Sequence, residues 1–327
     1  VLAGCRNVPF VDLVSQHDPI REELHRALDQ VLSHGQFVLG PEVEEFEKEF
    51  AAYCGTRFAI GLNSGLDALV LALRALGIGH GDEVITPPNS YIASSGAIGL
   101  IGAYPVFVDV GDDYNIDPTL IENAITPKTK AIMPVHLTGR PCDMDAISTI
   151  AEKHELYVME DAAQSVGARY KEKPTGSLGD IGCFSLHPLK TLNACGDAGI
   201  VTTDDAELEQ RILRLRNHGL KNRDECAEWG YNSRLDSLQA AFLNLKLKHL
   251  SAWTEKRRNH AMIYQQELSE LNYIKCPSDR SHEYAAYHTF IIRADRRDDL
   301  QRYLKQHGIG AGVHYPVPIH VQESAAS

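Results

Sequence analysis

No run of apolar residues in this 327-residue chain is long enough to span a bilayer, and no charged-then-apolar segment opens it. Neither a membrane span nor a secretory leader is expected. The seven cysteines (Cys5, Cys54, Cys142, Cys183, Cys195, Cys226, Cys276) are odd in number, scattered and never spaced Cys-x-x-Cys. That pattern argues against a disulfide framework or a zinc site and suits reduced thiols in a cytoplasmic protein. Basic residues are scarce as well: 32 Lys and Arg against 44 Asp and Glu give a formal net charge of −12 and a pI near 5.7. Without a basic face the chain is not expected to bind nucleic acid or anionic membrane, so any anionic ligand must be held by local basic groups. Internal repeats, low-complexity tracts and long linkers are also missing.

What is present is apolar material, 43 % of the chain, enough for one large core and a smaller one. Asp18 before Pro19 predicts a helix start, with Asp18 as N-cap and Ile20, Leu24, Ala27, Leu28 and Val31 at helical spacing. Pro41 opens a second amphipathic helix carrying Val43, Phe46, Phe50 and Tyr53. Strands are then expected at 58–62, 84–86, 105–110, 131–135, 156–160 and 181–186, with helices near 65–76, 91–101, 117–125 and 144–153. This alternation predicts an α/β fold, a doubly wound and mostly parallel sheet buried on both faces, with ligand groups at the carboxyl ends of the strands. A helical stretch over 236–271, a strand over 287–294 and a helix over 298–306 predict a smaller C-terminal α/β unit. We divide the chain into 1–245 and 246–327.

Two segments carry the chemistry. Val158-Met-Glu-Asp161 ends an apolar strand on a carboxylate, and Asp180-Ile-Gly-Cys-Phe-Ser-Leu-His-Pro-Leu-Lys190 ends on a lone lysine. Pyridoxal phosphate (PLP) chemistry requires these two groups: an amine that condenses with the cofactor aldehyde, and an acid that keeps the pyridine nitrogen protonated. Desolvation is expected to lower the Lys190 pKa. Asp161 has a second explanation as the N-cap of a following helix. Glu160, its neighbour, points to the opposite face of the strand.

The chain resembles the DegT/DnrJ/EryC1/StrS family of PLP-dependent sugar aminotransferases at both segments and at Val8-Pro-Phe-Val-Asp-Leu13, Gly40-Pro-Glu-Val-Glu-Glu-Phe46, Asn63-Ser-Gly-Leu-Asp-Ala-Leu69, Gly81-Asp-Glu-Val-Ile85, Gly230-Tyr-Asn-Ser-Arg234 and His314-Tyr-Pro-Val-Pro-Ile-His320. The resemblance implies a fold-type I aminotransferase dimer, and a small domain that continues beyond Ser327. It also implies Lys190 as the Schiff-base lysine, Asp161 on the pyridine nitrogen and Gln164 on the ring hydroxyl or backing the cofactor. Tyr91 stacks on the ring, or else is a buried core tyrosine of a helix that it begins. Ser64, Gly65 and Leu66 form a helix N-terminus for the cofactor phosphate, or a plain turn capped by Ser64. Leu66 stands where relatives usually have threonine, so only its backbone N–H is on offer. Ser185 is a second phosphate donor, and Asn232 reaches the phosphate from the partner subunit. The role of Asp197 is left open.

Candidate substrate contacts are His187, which is equally explained as a packed loop residue, the loop residues Lys221 and Arg223, and the pocket wall His314, Tyr315 and His320. The paired histidines 314 and 320 lack a third ligand at suitable spacing, so no metal is expected. The resemblance implies transfer of the amino group of glutamate to a keto sugar, most favourably a nucleotide-linked 3-keto sugar, with pyridoxamine 5′-phosphate as the intermediate cofactor form. Two alternatives stay open: a pyridoxamine-dependent sugar dehydratase of the same fold, whose members carry histidine where this chain has Lys190, and a regulator that binds PLP without catalysis.

Overall fold

A computed structural model describes residues 7–325. The centre is a seven-stranded sheet whose order, edge to edge, is Phe58–Leu62, Gly199–Thr203, Ile181–Ser185, Tyr157–Asp161, Thr129–Ile132, Glu83–Thr86 and Tyr104–Phe107. The last five strands run parallel, and Gly199–Thr203 is antiparallel to both of its neighbours. The α/β, mostly parallel class expected from the alternating pattern is the one observed.

Both sheet faces are covered, which is why the strands are apolar throughout and not alternating. One face packs on the helices Gly65–Ala75 and Ala93–Leu100. Residues 68–73 of the first are all buried, as its apolar circumference demanded. The other face meets Pro41–Cys54 and Ser237–Leu247 through Val43, Phe46, Phe50, Ala240 and Leu243. Phe50 meets Phe184 edge-on with centroids 5.1 Å apart, an arrangement favoured by the ring quadrupoles. A third cluster, around Ile132, Ile147 and Val158, lies under helix Met144–Lys153.

Several local expectations need correction. Asp18 does not cap the first helix: Asp12 caps a preceding turn of helix, Leu13–His17, and Asp18 continues the chain as a 3₁₀ turn, its carboxylate paired with Arg21. The 236–271 stretch is two helices, Ser237–Leu247 and Leu250–Leu268, broken at Lys248–His249. Only Arg293–Ala294 of the expected 287–294 strand is a strand, paired with Ile274–Lys275. The chain before it is occupied in turns against Thr138 and Gly139, which take its backbone hydrogen bonds. All six cysteines within the described residues are free, while Cys5 lies outside them.

Candidate active site

Asp161 is the last residue of its strand and stands at the carboxyl edge of the sheet, paired with Cys183 of the neighbouring strand. The residue is 3 % exposed. Ser94 Oγ donates to Oδ2 at 2.7 Å and Ala163 N–H to Oδ1 at 3.2 Å. Burial raises the Asp161 pKa, while these two donors and the charge of Lys190 pull it back. No helix follows Asp161, only turns, so helix capping does not account for it. Glu160 does point the other way: it accepts from the N–H groups of Gly176, Leu178 and Gly179 and pairs with His136, a structural anchor for the loop behind the strand.

Lys190 is half-buried on the turn after strand Ile181–Ser185, its N–H bonded to His187 O at 2.8 Å. Burial lowers its pKa, opposed in part by Asp161. Among the described residues its amine has neither an ion pair nor a hydrogen bond, so it is free to react. The turn itself is clamped. Asn193 Nδ2 donates to Lys190 O at 3.0 Å, and the fully buried Lys246 donates to Asn193 O and Oδ1, both at 2.9 Å.

Ser64 caps helix Gly65–Ala75 by accepting from Asp67 N–H at 3.1 Å. Its hydroxyl proton stays available, as do the first backbone N–H groups of the helix. Ser185 ends its strand directly against this helix start: a Cβ at Gly65 would lie 2.5 Å from Ser185 Cβ. Leu66 packs its side chain into the core and presents only backbone. The result is a cup of bare N–H groups and two hydroxyls, the donor set an anionic phosphate requires.

Gln164 Oε1 accepts from Thr138 N–H at 2.7 Å, and Gln164 Nε2 donates to the Tyr315 hydroxyl at 3.0 Å. Tyr91 does not begin its helix, which starts at Ala93, and it is no core residue: it is 60 % exposed, with its ring centroid 6.2 Å from that of Tyr315. His314, stacked on Phe10, and Tyr315 join Lys190 in a cleft of about 1170 Å³.

Other candidates stand outside this group. His187 is exposed, and its Nδ1 accepts from Leu189 N–H, so it shapes the turn and is not packed inside it. His320 is exposed beside Phe107, and Asp197 is exposed as well. Lys221, Arg223 and Asn232 are exposed and do not line the cleft. Asn232 is tied to the phosphate cup only through its neighbour: Ser233 Oγ accepts from Asn63 N–H and donates to Asp67. No group of three or more potential metal ligands exists among the described residues. Ser90, Ser94, Asn193 and Lys246 are site residues that sequence reasoning missed; for the two serines, their spacing of one helical turn after Thr86-Pro-Pro-Asn was the available signal.

The sequence matches the DegT/DnrJ/EryC1/StrS aminotransferase family over residues 18–327. The chain belongs to that family. It is an aminotransferase by that membership, and several relatives at 41–46 % identity are named transaminases or aminotransferases. It is 46 % identical over 320 residues to the dTDP-3-amino-3,4,6-trideoxy-alpha-D-glucose transaminase of Streptomyces venezuelae, covering 98 % of this chain and 84 % of the relative. Among solved structures, S. venezuelae DesV superposes with a TM-score of 0.96 at 46 % identity over 98 % of this chain and 86 % of that one. NtdA from Bacillus subtilis, solved with bound PMP, gives 0.90 at 35 % identity over 97 % and 74 %.

Proposed function

We propose that this aminotransferase uses PLP to move the amino group of glutamate to a nucleotide-linked keto sugar, most favourably one with the ketone at C3. The observation that carries the reading is the unpartnered Lys190 amine in a large cleft, with the buried Asp161 acid acting on its charge. A dehydratase would not need that amine, and a non-catalytic regulator would need no acid buried behind it.

The residues fit the cofactor. The Gly65–Ser185 cup suits its phosphate, Asp161 its ring nitrogen, Gln164 its ring hydroxyl, and Tyr91, exposed above Tyr315, one face of its ring. When bound, PLP supplies an aldehyde that takes up the amino group and a ring that accepts an electron pair. Asp161, whose carboxylate accepts from Ser94 and Ala163, would hold a proton on the ring nitrogen. Lys190, made less basic by burial, is the base that takes a proton from the donor's amine-bearing carbon and returns it to the acceptor side. The Lys246–Asn193 clamp fixes the backbone from which that amine swings.

Asn232 completes the phosphate site of a second copy in a homodimer, and Lys221 and Arg223 on the same loop bring it positive charge for a diphosphate. The large unit through residue 245 holds the cofactor, and the unit from 246 walls the substrate. The reaction is cytoplasmic. In the deciding experiment the purified protein is loaded with PLP and given glutamate, and keto sugars are then screened for recovery of the aldehyde absorbance. Loss of that absorbance with glutamate and its return with a 3-keto nucleotide sugar are expected. A rapid response to another amino acid alone, or to no keto sugar, would replace the assignment.

A further inference from the structure

The turn 286–289 is built onto the wall of the Lys190 cleft. Ala286 N–H donates to Gly139 O at 2.8 Å and Thr289 N–H to Thr138 O at 3.4 Å. A Cβ at Gly139 would lie 3.0 Å from His288 N, so only glycine lets the two turns approach this closely. Arg257, from helix Leu250–Leu268, donates through Nη1 to Tyr287 O at 3.4 Å and His288 O at 3.2 Å. One guanidinium nitrogen is thereby spent on positioning, which leaves the rest of the fork to the cleft that Arg257 lines. Among the described residues, His288 Nδ1 is buried without a hydrogen-bond partner.

Lys190, Arg257, His288 and His314 line this cleft together. Burial lowers the basicity of His288 first, and the charges of Lys190, Arg257 and His314 lower it further. Two acids also line the cleft, Asp12 and Asp295, but neither is among the groups acting on His288 or His314. Asp161 acts on the charge of Lys190, but only basic groups act on His288, and a basic cluster containing a buried nitrogen without a partner is costly as it stands: an unmet buried polar group alone costs about 1–3 kcal/mol. Both costs are relieved by an anion, and a fixed guanidinium fork matches a carboxylate.

We infer that Arg257 and His288 form the subsite for the carboxylate of the amino donor, an assignment that rests on the aminotransferase reading above. A sugar nucleotide would also bring an anion, its diphosphate, but the ketone carbon is separated from that group by ring atoms. The α-carboxylate of an amino acid is one bond from the carbon whose proton Lys190 takes. A subsite within electrostatic reach of the Lys190 amine therefore suits the donor.

In the test, glutamate is titrated into the PLP-loaded parent, Arg257→Leu, Arg257→Lys and His288→Asn proteins, with the absorbance change as readout. Glutarate, which has no amine, and dTDP, a free diphosphate, are titrated calorimetrically into the same proteins. Arg257→Leu is expected to raise the half-saturating glutamate concentration and to weaken glutarate binding, each by about thirtyfold, the loss of one charged hydrogen-bonded pair. Arg257→Lys should recover part of this, and PLP and dTDP affinities should stay within about threefold, well under a tenfold step. Unchanged glutamate and glutarate in Arg257→Leu and His288→Asn overturn the assignment. So does a loss of dTDP with none of glutamate, which would make this a diphosphate site. A parent that ignores glutamate but binds glutarate through Arg257 sinks the glutamate-donor reading and leaves the carboxylate subsite standing. If Arg257→Leu does not fold, His288→Asn, which keeps the backbone clamp, decides alone.

Discussion

Ser94 Oγ donates to Asp161 Oδ2 over 2.7 Å, and Ser90 Oγ lies 2.7 Å from Ser94 Oγ, with all three residues buried. A hydroxyl has one proton. If Ser94 gives its proton to the carboxylate, the proton between the two serines must come from Ser90, so both hydroxyl dipoles point at Asp161. This counters the burial that raises its pKa. Asp161→Asn is therefore expected to keep PLP binding and lose at least about a hundredfold in kcat, roughly 3 kcal/mol of transition-state stabilisation. Ser94→Ala should raise the Asp161 pKa further, visible by carboxylate infrared titration of the apoprotein, and Ser94→Thr should restore it. Parent-like turnover in Asp161→Asn would reduce the acid to a structural role.

The phosphate cup is tested by one methyl group. A Cβ on Gly65 would lie 2.5 Å from Ser185 Cβ and 2.9 Å from Ser185 Cα, where real side chains do not go. In Gly65→Ala the strand end or the helix start must shift, at a cost of about 1–3 kcal/mol by comparison with overpacked cores. The expected result is a protein that still folds, with PLP affinity reduced by about tenfold or more. Equilibrium dialysis against PLP measures this, and parent-like affinity would place the phosphate elsewhere.

The class of fold and the two chemical anchors were legible in the sequence because burial on both faces leaves continuous apolar strands, and a strand end fixes where Asp161 points. The helix Gly65–Ala75 was legible for the same reason: residues such as Leu69 and Leu71 leave it no exposed side. What was not legible depends on contacts between distant segments. Tyr287 to Ile292 has strand-forming composition, yet Thr289 N–H donates to Thr138 O and the Tyr287 and His288 carbonyls accept from Arg257. The Lys246–Asn193 clamp was hidden because a lysine in a helix is ordinarily solvated, and nothing local marks this one as buried. Ser94 was hidden because its partner lies on another strand.

Protonation also provides a stability test. Burial, first, and the nearby charges of Lys190, Arg257 and His314 hold the His288 pKa well below its ordinary 6.5; burial and Lys190 lower that of His314. For a base whose folded pKa is depressed, the unfolded chain takes up the proton first as pH falls through 6.5. Stability is then lost below that pH, by up to about 1.4 kcal/mol per pH unit for each such histidine. Asp161, whose folded pKa is raised, contributes with the opposite sign nearer its own range. Urea midpoints are expected to fall between pH 7.5 and 5.5, and to fall less in His288→Gln, which cannot titrate. An identical slope in parent and variant would show that His288 takes up its proton in the fold as it does in the unfolded chain.

The arrangement of the site across two chains is the remaining prediction. Residues 217–231 form an exposed, polar excursion carrying Trp229, 88 % exposed, before the chain returns to the buried helix Ser237–Leu247. So large an exposed aromatic on a loop that ends beside Asn232 suits contact with a second copy. Asn232 itself lines no part of the Lys190 cleft of its own chain, although Ser233 next to it is bonded to the cup residues Asn63 and Asp67. Lys190→Ala and Asn232→Asp should each be inactive, the second because a carboxylate repels the phosphate. Mixed and allowed to exchange, they should regain up to about a quarter of the parent activity, since half of the dimers are then mixed and each of those has one intact site. Exchange shown by native mass spectrometry without any return of activity would put Lys190 and Asn232 in the same chain's site.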